Sequence, residues 1–322
     1  PELSKTDLLL VEVLFPADFT SSQHANLKYD SIMQRPVIVT SIPPKIKRIG
    51  PNGETLGLEY MQSCVDSWID SGFTPISINS RREFSTPPRH IRGIEYILVD
   101  RDANAFVGKP LVYLKDMLRI GANRSDGFFA LTNADIFLKP SKDIFDSLSS
   151  VRSGQFIAER RFDTSSIDHL SGIRFPNGYD LFVFNSEDIR NYSDEGFVFG
   201  VPWWDHYLPL KFVLAGFDKI DIAKPFVYHL EHDERWDPDL WRMFGSVFIR
   251  TISRDLEQVG REDYRKLSNY RIQFNDAIAL NKTGLENLIG FANKYYIFKN
   301  YLHDKKLSNI ARLNMRFIEQ NQ

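Results

Sequence analysis

The feature that most constrains the fold is an alternation of short apolar runs with helix-like segments, which begins near Arg35. Four runs rich in apolar and β-branched residues predict strands: VIVTSI, TPISINS, IEYILVD and FFALTNADIFL. Between them lie two segments with apolar residues at helical spacing, predicted to end at Gly72 and Gly121: LEYMQSCVDSWIDSGF and PLVYLKDMLRIGA. Strands that are apolar on both faces and alternate with helices predict an α/β fold, with helices flanking a mostly parallel sheet.

The second half of the chain carries a different pattern. GQFIAERRFD and YDLFVFN each predict one strand, and NSEDIR predicts a helix start capped by Ser186. The segment PWWDHYLPLKFVLAGF predicts a loop that leads into a helix. From about Asp239 onward the pattern is helical to the end of the chain.

The fourth predicted strand contains two polar residues, Asn133 and Asp135, near its end. Ligands of open parallel sheets bind at the carboxyl ends of the strands. Two side-chain oxygens one residue apart can share Mg²⁺ or Mn²⁺ with substrate phosphates. The alternative is that both are turn residues that satisfy backbone groups where the strand stops. The motif by itself leaves both interpretations open.

Two histidines lie close together in VYHLEHDERW, where a predicted strand runs into a polar loop. His229 and His232 stand with Glu231 and Asp233 within five residues. A neutral imidazole at this position can complete a metal site. The same group is also compatible with a hydrolytic zinc site, although it lacks the spacing of the zinc proteases.

A carboxylate and two tryptophans mark the loop before the next predicted helix. Asp205 follows Trp203 and Trp204 in PWWDHYL. An acid in a first helical turn is favourable to the helix dipole, which is the simpler interpretation. Tryptophans in a loop wall a pocket or pack in the core, and a carboxylate beside a pocket can act as a general base toward a hydroxyl group.

A further charged group comes from AERRFD and the following GYDLFVF. Arg161, Asp163 and Asp180 can recognise phosphate or hydroxyl groups of a substrate. Ion pairing among these residues explains them equally well.

Composition excludes several classes of protein. The net charge of −2 over 322 residues gives no general attraction to nucleic acid. The single cysteine, Cys64, excludes an internal disulfide and fits a reducing compartment. No apolar run approaches the length needed to span a bilayer. We therefore expect a cytoplasmic protein.

The order of these motifs resembles that of the GT-A fold glycosyltransferases, in particular bacterial enzymes that build surface polysaccharides from nucleotide sugars. The similarity runs from about Pro36 to Trp236. It implies a GT-A, Rossmann-like sheet flanked by helices in residues 35–240. Residues 1–34 would form an N-terminal lead-in, and residues 241–322 a C-terminal helical region.

The resemblance also implies a metal site that holds Mn²⁺ or Mg²⁺. The letters NAD match the DXD metal motif of the family, with Asn133 in place of the first aspartate. Asp135 would then be a direct metal ligand, while Asn133 contributes a neutral oxygen or contacts the nucleotide ribose. His229 matches the late histidine that completes the metal site in many members, and His232 is the second choice.

Further roles follow from the same resemblance. WWD lies where inverting members carry a Glu-Asp pair, so Asp205 matches the catalytic base and Trp204 replaces the glutamate. Position at the ends of strands adds Thr40, Ser41 and Asn79 as nucleotide-binding residues. The acceptor-binding residues would be Arg161, Asp163, Asp180, Trp203 and Trp204.

The implied reaction is inverting transfer of a sugar from a nucleotide sugar, with a UDP-sugar favoured, to a hydroxyl of a glycan or lipid-linked glycan. The C-terminal helices would pack on the catalytic domain or on a second subunit, or dock on the inner face of a membrane. Two other functions stay open. One is a metal-dependent hydrolase that uses His229, His232 and Asp135, and the other is a glycan-binding module without catalytic activity.

Overall fold

The structure is a computed structural model that describes most of the chain between residues 35 and 258. The described residues are 13–14, 35–46, 48–50, 53–84, 91–175, 178–190, 192–194, 196–232 and 237–258. The rest of the N-terminal lead-in and the helical pattern beyond residue 258 lie outside them, so the predictions for those parts stay predictions.

Within the described residues, an eight-stranded mixed sheet forms the centre of the fold. Its strands, in spatial order, are β1 (Val13–Leu14), β6 (Glu95–Val99), β5 (Thr74–Ser80), β2 (Val37–Thr40), β7 (Phe128–Thr132), β12 (Leu181–Asn185), β9 (Gln155–Glu159) and β13 (Asp218–Ile220). Only β1 and β12 run against the direction of the others. The predicted α/β fold with a largely parallel sheet is therefore confirmed.

Helices cover both faces of this sheet. Their bounds are α1 (Leu58–Asp70), α2 (Asn104–Val107), α3 (Leu114–Asn123), α4 (Lys142–Ser149), α5 (Ser186–Ile189), α6 (Trp204–Leu214) and α7 (Pro238–Gln258). Alternate residues of β2 face opposite sides, because Val37 and Val39 belong to one buried apolar cluster and Ile38 to the other. Helices α3, α6 and α7 contribute to the first cluster, and α1 and α4 to the second. The boundary predicted at residues 240/241 falls inside α7.

A second, smaller sheet lies beside the large one. Its strands, in spatial order, are β11 (Ile173–Arg174), β10 (Phe162–Thr164), β14 (Val227–Leu230) and β8 (Ile136–Leu138). A short hairpin is formed by β3 (Arg48–Ile49) and β4 (Thr55–Leu56).

The small sheet corrects two strand predictions. FFALTNADIFL is not one strand, because β7 ends at Thr132 and the chain turns at residues 133–135 into β8 of the other sheet. GQFIAERRFD likewise divides into β9 and β10, which also belong to different sheets. Strand propensity continues across both crossings, and the local pattern therefore does not reveal the change of sheet.

One helix terminus agrees with the sequence expectation, and two others, in α3 and α5, differ from it. Helix α1 ends just before Gly72, as predicted, and Gly72 has the positive φ of +90° that suits a glycine there. Helix α3, however, continues past Gly121 to Asn123. The short helix α5 is capped by Asn185, whose side chain accepts a hydrogen bond from the Glu187 amide, and not by Ser186.

Gly121 is a packing position and not a helix terminus. A Cβ atom added to it would lie 2.5 Å from Cδ2 of Phe129 and 3.0 Å from Cγ2 of Val39. Both neighbours are fully buried strand residues of the large sheet. The absent side chain therefore lets α3 lie close against the sheet.

Among the described residues, no helix combines the length and the apolarity that crossing a bilayer requires.

We expect Gly121→Ala to lower the free energy of unfolding by about 1 to 2 kcal/mol. Overpacking against Phe129 costs about 1–3 kcal/mol, and the better helix propensity of alanine offsets only part of it. Urea unfolding followed by circular dichroism measures the change. Asn123→Ala is the matched control, because Asn123 is exposed at the end of the same helix. Equal stability of the two variants would contradict this account of Gly121.

Candidate functional site

A cavity of about 860 Å³ lies at the carboxyl ends of β2 and β7. Its floor contains the turn between β7 and β8 and the end of β14. The lining also includes residues from the loop after β2 and the start of α1, and residues 199–201 with Leu240. The volume lies within the range of about 300–1,000 Å³ that is typical of small-molecule sites.

The small sheet brings three of the predicted metal-binding residues together on this floor. Asp135 directly precedes β8, His229 lies on β14, and His232 follows the end of β14 by two residues. Strand β14 pairs with β8 on one side and with β10 on the other, so that His229 is opposite both Ile136 and Asp163. Residues far apart in the sequence therefore converge because β8 and β14, two paired strands of one sheet, carry them.

The distances within this group suit one metal ion. Nε2 of His229 lies 3.6 Å from Oδ2 of Asp135, and Nε2 of His232 lies 3.3 Å from the same oxygen. The two Nε2 atoms are 3.0 Å apart. With metal–ligand bonds of about 2.1 Å, neighbouring ligands of a tetrahedral or octahedral ion lie about 3.0–3.5 Å apart. The residues present therefore fit a divalent cation.

The donor atoms indicate which cations fit best. Two imidazoles and one carboxylate suit Mn²⁺ or another transition metal better than Mg²⁺, which prefers oxygen ligands. Asp163 holds the other nitrogen of His229, with Oδ1 at 3.1 Å from Nδ1. A carboxylate in this place orients the imidazole and fixes its tautomer.

Asp135 and His229 shift each other's pKa in opposite directions. Burial alone raises the pKa of the Asp135 carboxyl, but hydrogen bonds from His229 and His232 outweigh burial and hold this pKa well below its usual value. Burial alone lowers the pKa of His229, but hydrogen bonds to Asp135 and Asp163 outweigh it and raise the pKa to about 9. Without a metal ion, a proton on His229 therefore supplies the positive charge beside Asp135.

Arg161, Asp163 and Asp180 form a partly buried ion-pair network with Asn133. Nε of Arg161 lies 2.7 Å from Oδ1 of Asp163, and its Nη1 lies 3.0 Å from Oδ1 of Asp180. Asn133 donates a hydrogen bond from Nδ2 to the same Asp180 oxygen at 2.9 Å. The guanidinium also lies 3.9 Å from the centre of the Phe175 ring. The structure thus pairs these charges with one another, and Asn133, Arg161 and Asp163 still line the cavity.

The predicted nucleotide-binding residues at the other end of the cavity have different surroundings. Ser41 lines the cavity, whereas Thr40 and Asn79 are fully buried beneath it. Nδ2 of Asn79 donates to the Ser41 hydroxyl at 3.2 Å and to Oε2 of Glu83 at 2.9 Å. Asn79 is therefore in position to hold two cavity-lining residues, one of which the sequence did not single out.

Asp205 and the two tryptophans lie behind the cavity lining. The ring of Trp203 packs on Trp241 and Phe248 of α7, and Trp204 packs on Phe182 and Phe199. Both are buried in the core and neither lines the cavity.

Asp205 lies in the first turn of α6, and its side chain is 19% exposed. Its Oδ2 accepts a hydrogen bond from the amide of Tyr179 at 3.2 Å, directly beside Asp180. Trp203, two residues earlier, has a φ of +81°, which is unfavourable for a tryptophan. Strained backbone of this kind clusters at functional sites, and packing against α7 holds it here.

Comparison with known proteins gives weak similarities only. No family model matches this chain, and no curated protein matches it. HddC from Yersinia pseudotuberculosis is 14% identical, with a TM-score of 0.32 alone and 0.31 when complexed with GMP-PN, over 61% of this chain and 88% of that chain. A nucleotidyl transferase from Methanothermobacter thermautotroptrophicus (Mth528) is 12% identical, with a TM-score of 0.37, over 60% of this chain and 89% of that chain. At such TM-scores the similarity carries no argument about function.

Sequence reasoning missed several residues that line the cavity. Lys45, Arg48 and Lys109 contribute positive charge, and Glu83 contributes a half-buried carboxylate. Burial raises the pKa of the Glu83 carboxyl, although its hydrogen bond from Asn79 lowers it in part. These residues lie in loops or in a two-residue strand, where no periodic pattern singles them out.

We expect the metal-free protein to lose stability as the pH rises from about 6.5 to about 9. The pKa of His229 is about 9 in the folded protein and about 6.5 in an unfolded chain. Its stabilising contribution is therefore complete below pH 6.5 and is lost as the pH passes through 9.

Urea unfolding in EDTA, at a series of pH values, measures this effect. The difference in unfolding free energy between the wild type and His229→Gln should shrink as the pH rises. His169→Gln is the control, because His169 is exposed. A wild-type advantage over His229→Gln that stays constant with pH would contradict the expectation.

Proposed function

We propose that this protein is a metal-dependent glycosyltransferase that moves a sugar from a nucleotide sugar to a hydroxyl group of a glycan acceptor. The observation that carries the proposal is the group of Asp135, His229 and His232 on the floor of a large cavity at the strand ends. In open α/β sheets this edge is where nucleotides and their metal ions bind.

The charge of the cavity supports a diphosphate substrate. Lys45, Arg48 and Lys109 line the cavity, and none of them forms an ion pair with another described residue. Cationic side chains that line the same cavity as a possible divalent-cation site suit the two phosphate groups of a nucleotide sugar.

The polar residues at the end of β2 and β5 suit the nucleoside. Ser41 and Glu83 can bind hydroxyl or ring N–H groups, and Asn79 holds both side chains through its amide nitrogen. Ser77 in turn donates to the Asn79 oxygen at 2.7 Å, which fixes the orientation of that amide.

The proposed chemistry assigns one role to each group. A bound divalent cation would neutralise charge on the diphosphate leaving group. Asp205 accepts the proton of the acceptor hydroxyl while that oxygen forms a bond to the anomeric carbon. The bond between this carbon and the diphosphate oxygen breaks, and its electron pair leaves with the diphosphate. A single displacement of this kind inverts the anomeric centre.

The acceptor would enter beside residues 199–201. This segment lines the cavity and leads directly to the turn that carries Asp205. The pairing of Arg161 with Asp163 and Asp180 leaves these residues a supporting role in acceptor binding, through the shape and charge of the cavity floor.

A metal-dependent hydrolase is the second candidate, because the ligand set itself favours it. Two histidines and one carboxylate, with room for a water molecule, form the ligand set of many catalytic zinc sites. Such an enzyme would bind Zn²⁺ tightly and would have no need of a nucleotide. It also gives no role to Asp205 or to the three cationic side chains.

We expect one nucleotide, UDP in the first place, to raise the melting temperature of the protein when Mn²⁺ is present. Ligand at about 100 times its dissociation constant stabilises the folded state by about 2.7 kcal/mol, which corresponds to several degrees. A thermal-shift series with UDP, GDP, dTDP and CMP, in Mn²⁺, Mg²⁺ or EDTA, measures the effect.

Asp135→Ala should abolish the part of this shift that depends on metal. Asp126→Ala is the control, because Asp126 is exposed and lies outside the cavity lining. No shift with any of the nucleotides would contradict the transferase, and stabilisation by Zn²⁺ alone would favour the hydrolase.

We expect Asp205→Asn to lower kcat by about 10²- to 10⁴-fold, the usual contribution of a general base, and to leave nucleotide affinity unchanged. The asparagine oxygen can still accept the hydrogen bond from Tyr179. Asp143→Asn is the matched control, because Asp143 is also an acid in the first turn of a helix but is exposed. An equal and small effect of both substitutions would leave Asp205 with the helix-dipole role only. Turnover of the nucleotide sugar, measured as release of nucleoside diphosphate, provides the assay.

A further inference from the structure

The hydroxyl group of Tyr60 joins two backbone segments that carry the metal-binding side chains. It donates a hydrogen bond to the carbonyl oxygen of Asp135 at 2.6 Å. It accepts a hydrogen bond from the amide of Leu230 at 3.0 Å. Asp135 is itself in the metal-binding group, and Leu230 lies between His229 and His232 in the sequence.

This hydroxyl lies where the pairing of β8 with β14 ends. The antiparallel register pairs Val227 with Leu138 and His229 with Ile136, so Leu230 and Asp135 would be the next opposed residues. Strand β14 instead continues alongside β10, where Leu230 is opposite Thr164. The Tyr60 hydroxyl therefore bridges the two strands at the point where they separate and where their side chains converge on the metal site.

Helix α1, which carries Tyr60, is bonded to this segment at two further points. Nε1 of Trp68 donates to the carbonyl of Ile136 at 2.8 Å, and the Ser67 hydroxyl accepts from the amide of Leu138 at 3.0 Å. Tyr60, Ser67 and Trp68 thus bond to the backbone at three successive points along Asp135 and β8. Tyr60 differs from the other two because it also reaches the segment of the histidines.

We propose that Tyr60 is a positioning residue of the metal centre, which sets the separation of Asp135 from His229 and His232 before a cation binds. This inference rests on the metal site of the proposed function. Tyr60 acts through the backbone and is not itself a metal ligand. Its side chain is buried, and Tyr60 also lines the cavity.

Tyr60→Phe is the direct test, because it removes the hydroxyl and keeps the ring. We expect the affinity for Mn²⁺ to fall by about 10- to 100-fold, the usual effect of losing a group that orients metal ligands. Titration of the full chain with Mn²⁺ alone, followed by electron paramagnetic resonance of the free ion, measures the affinity. Co²⁺ provides a second readout, since its visible absorption spectrum should change in Tyr60→Phe if the ligand geometry changes.

Ser67→Ala is the matched control. It also removes a hydrogen bond between α1 and the backbone of β8, but this bond lies three residues away from Asp135 and does not involve the β14 amide that Tyr60 binds. We expect its Mn²⁺ affinity to stay within about twofold of the wild type, with an unchanged Co²⁺ spectrum. Thermal unfolding in EDTA compares the stability of the two variants independently of metal.

A second substitution tests the role of the donor. Tyr60→4-aminophenylalanine keeps an N–H donor at the position of the hydroxyl and should restore most of the Mn²⁺ affinity. It also serves as the test variant if Tyr60→Phe does not fold. In that case an Mn²⁺ affinity clearly lower than that of Ser67→Ala would count against the inference.

The outcomes separate this inference from the proposed function. If the wild type binds Mn²⁺ and Tyr60→Phe binds it as well as Ser67→Ala does, Tyr60 has a structural role only and the inference is wrong. If the wild type binds no divalent cation, the metal site itself is wrong and both proposals fall. A selective loss in Tyr60→Phe, with the Co²⁺ spectrum altered in the same variant, supports the inference.

Discussion

The site depends on the hydrogen bond and the ion pair that the buried carboxylate of Asp180 forms with Asn133 and Arg161. Asp180 is 3% exposed and directly precedes β12, which lies between β7 and β9 in the large sheet. Its Oδ1 binds Asn133, where the chain leaves β7, and Arg161, where the chain leaves β9. A buried carboxylate is costly without a partner, and the guanidinium offsets that cost. One side chain therefore ties together both points at which the chain crosses to the small sheet.

These two crossings place the chemistry of the cavity. After the first crossing the chain presents Asp135, and after the second it presents Asp163, while β14 inserts His229 between them. The guanidinium of Arg161 lies between the carboxylates of Asp163 and Asp180, and the imidazole of His229 lies beside Asp163. Each of these carboxylates therefore has a basic group as a neighbour. Strands and hydrogen bonds hold side-chain atoms of Asp135, His229 and His232 close enough together that they could bind one metal ion.

Sequence reasoning predicted the order of the main elements, and it proposed as metal ligands the three residues, Asp135, His229 and His232, that the structure brings together. It was wrong about two strands, because FFALTNADIFL and GQFIAERRFD keep their strand propensity through the change of sheet. It was wrong about Gly121, because a packing glycine and a terminal glycine look alike until the neighbouring Phe129 is known. It did not identify Glu83 or the cationic side chains, which lie in loops or at strand ends without periodicity.

The sequence by itself determined most of the strands of the large sheet and the helices α1 and α3, since apolar periodicity is a local property. It also determined that acids and histidines stand at the ends of those segments. Only the tertiary structure decided that Asp135, Asp163 and His229 meet, that Asp180 is buried against Arg161, and that Tyr60 bridges two strands. Each of these contacts joins residues distant in the chain. Their energy depends on burial and on partners, which no local pattern of residues encodes.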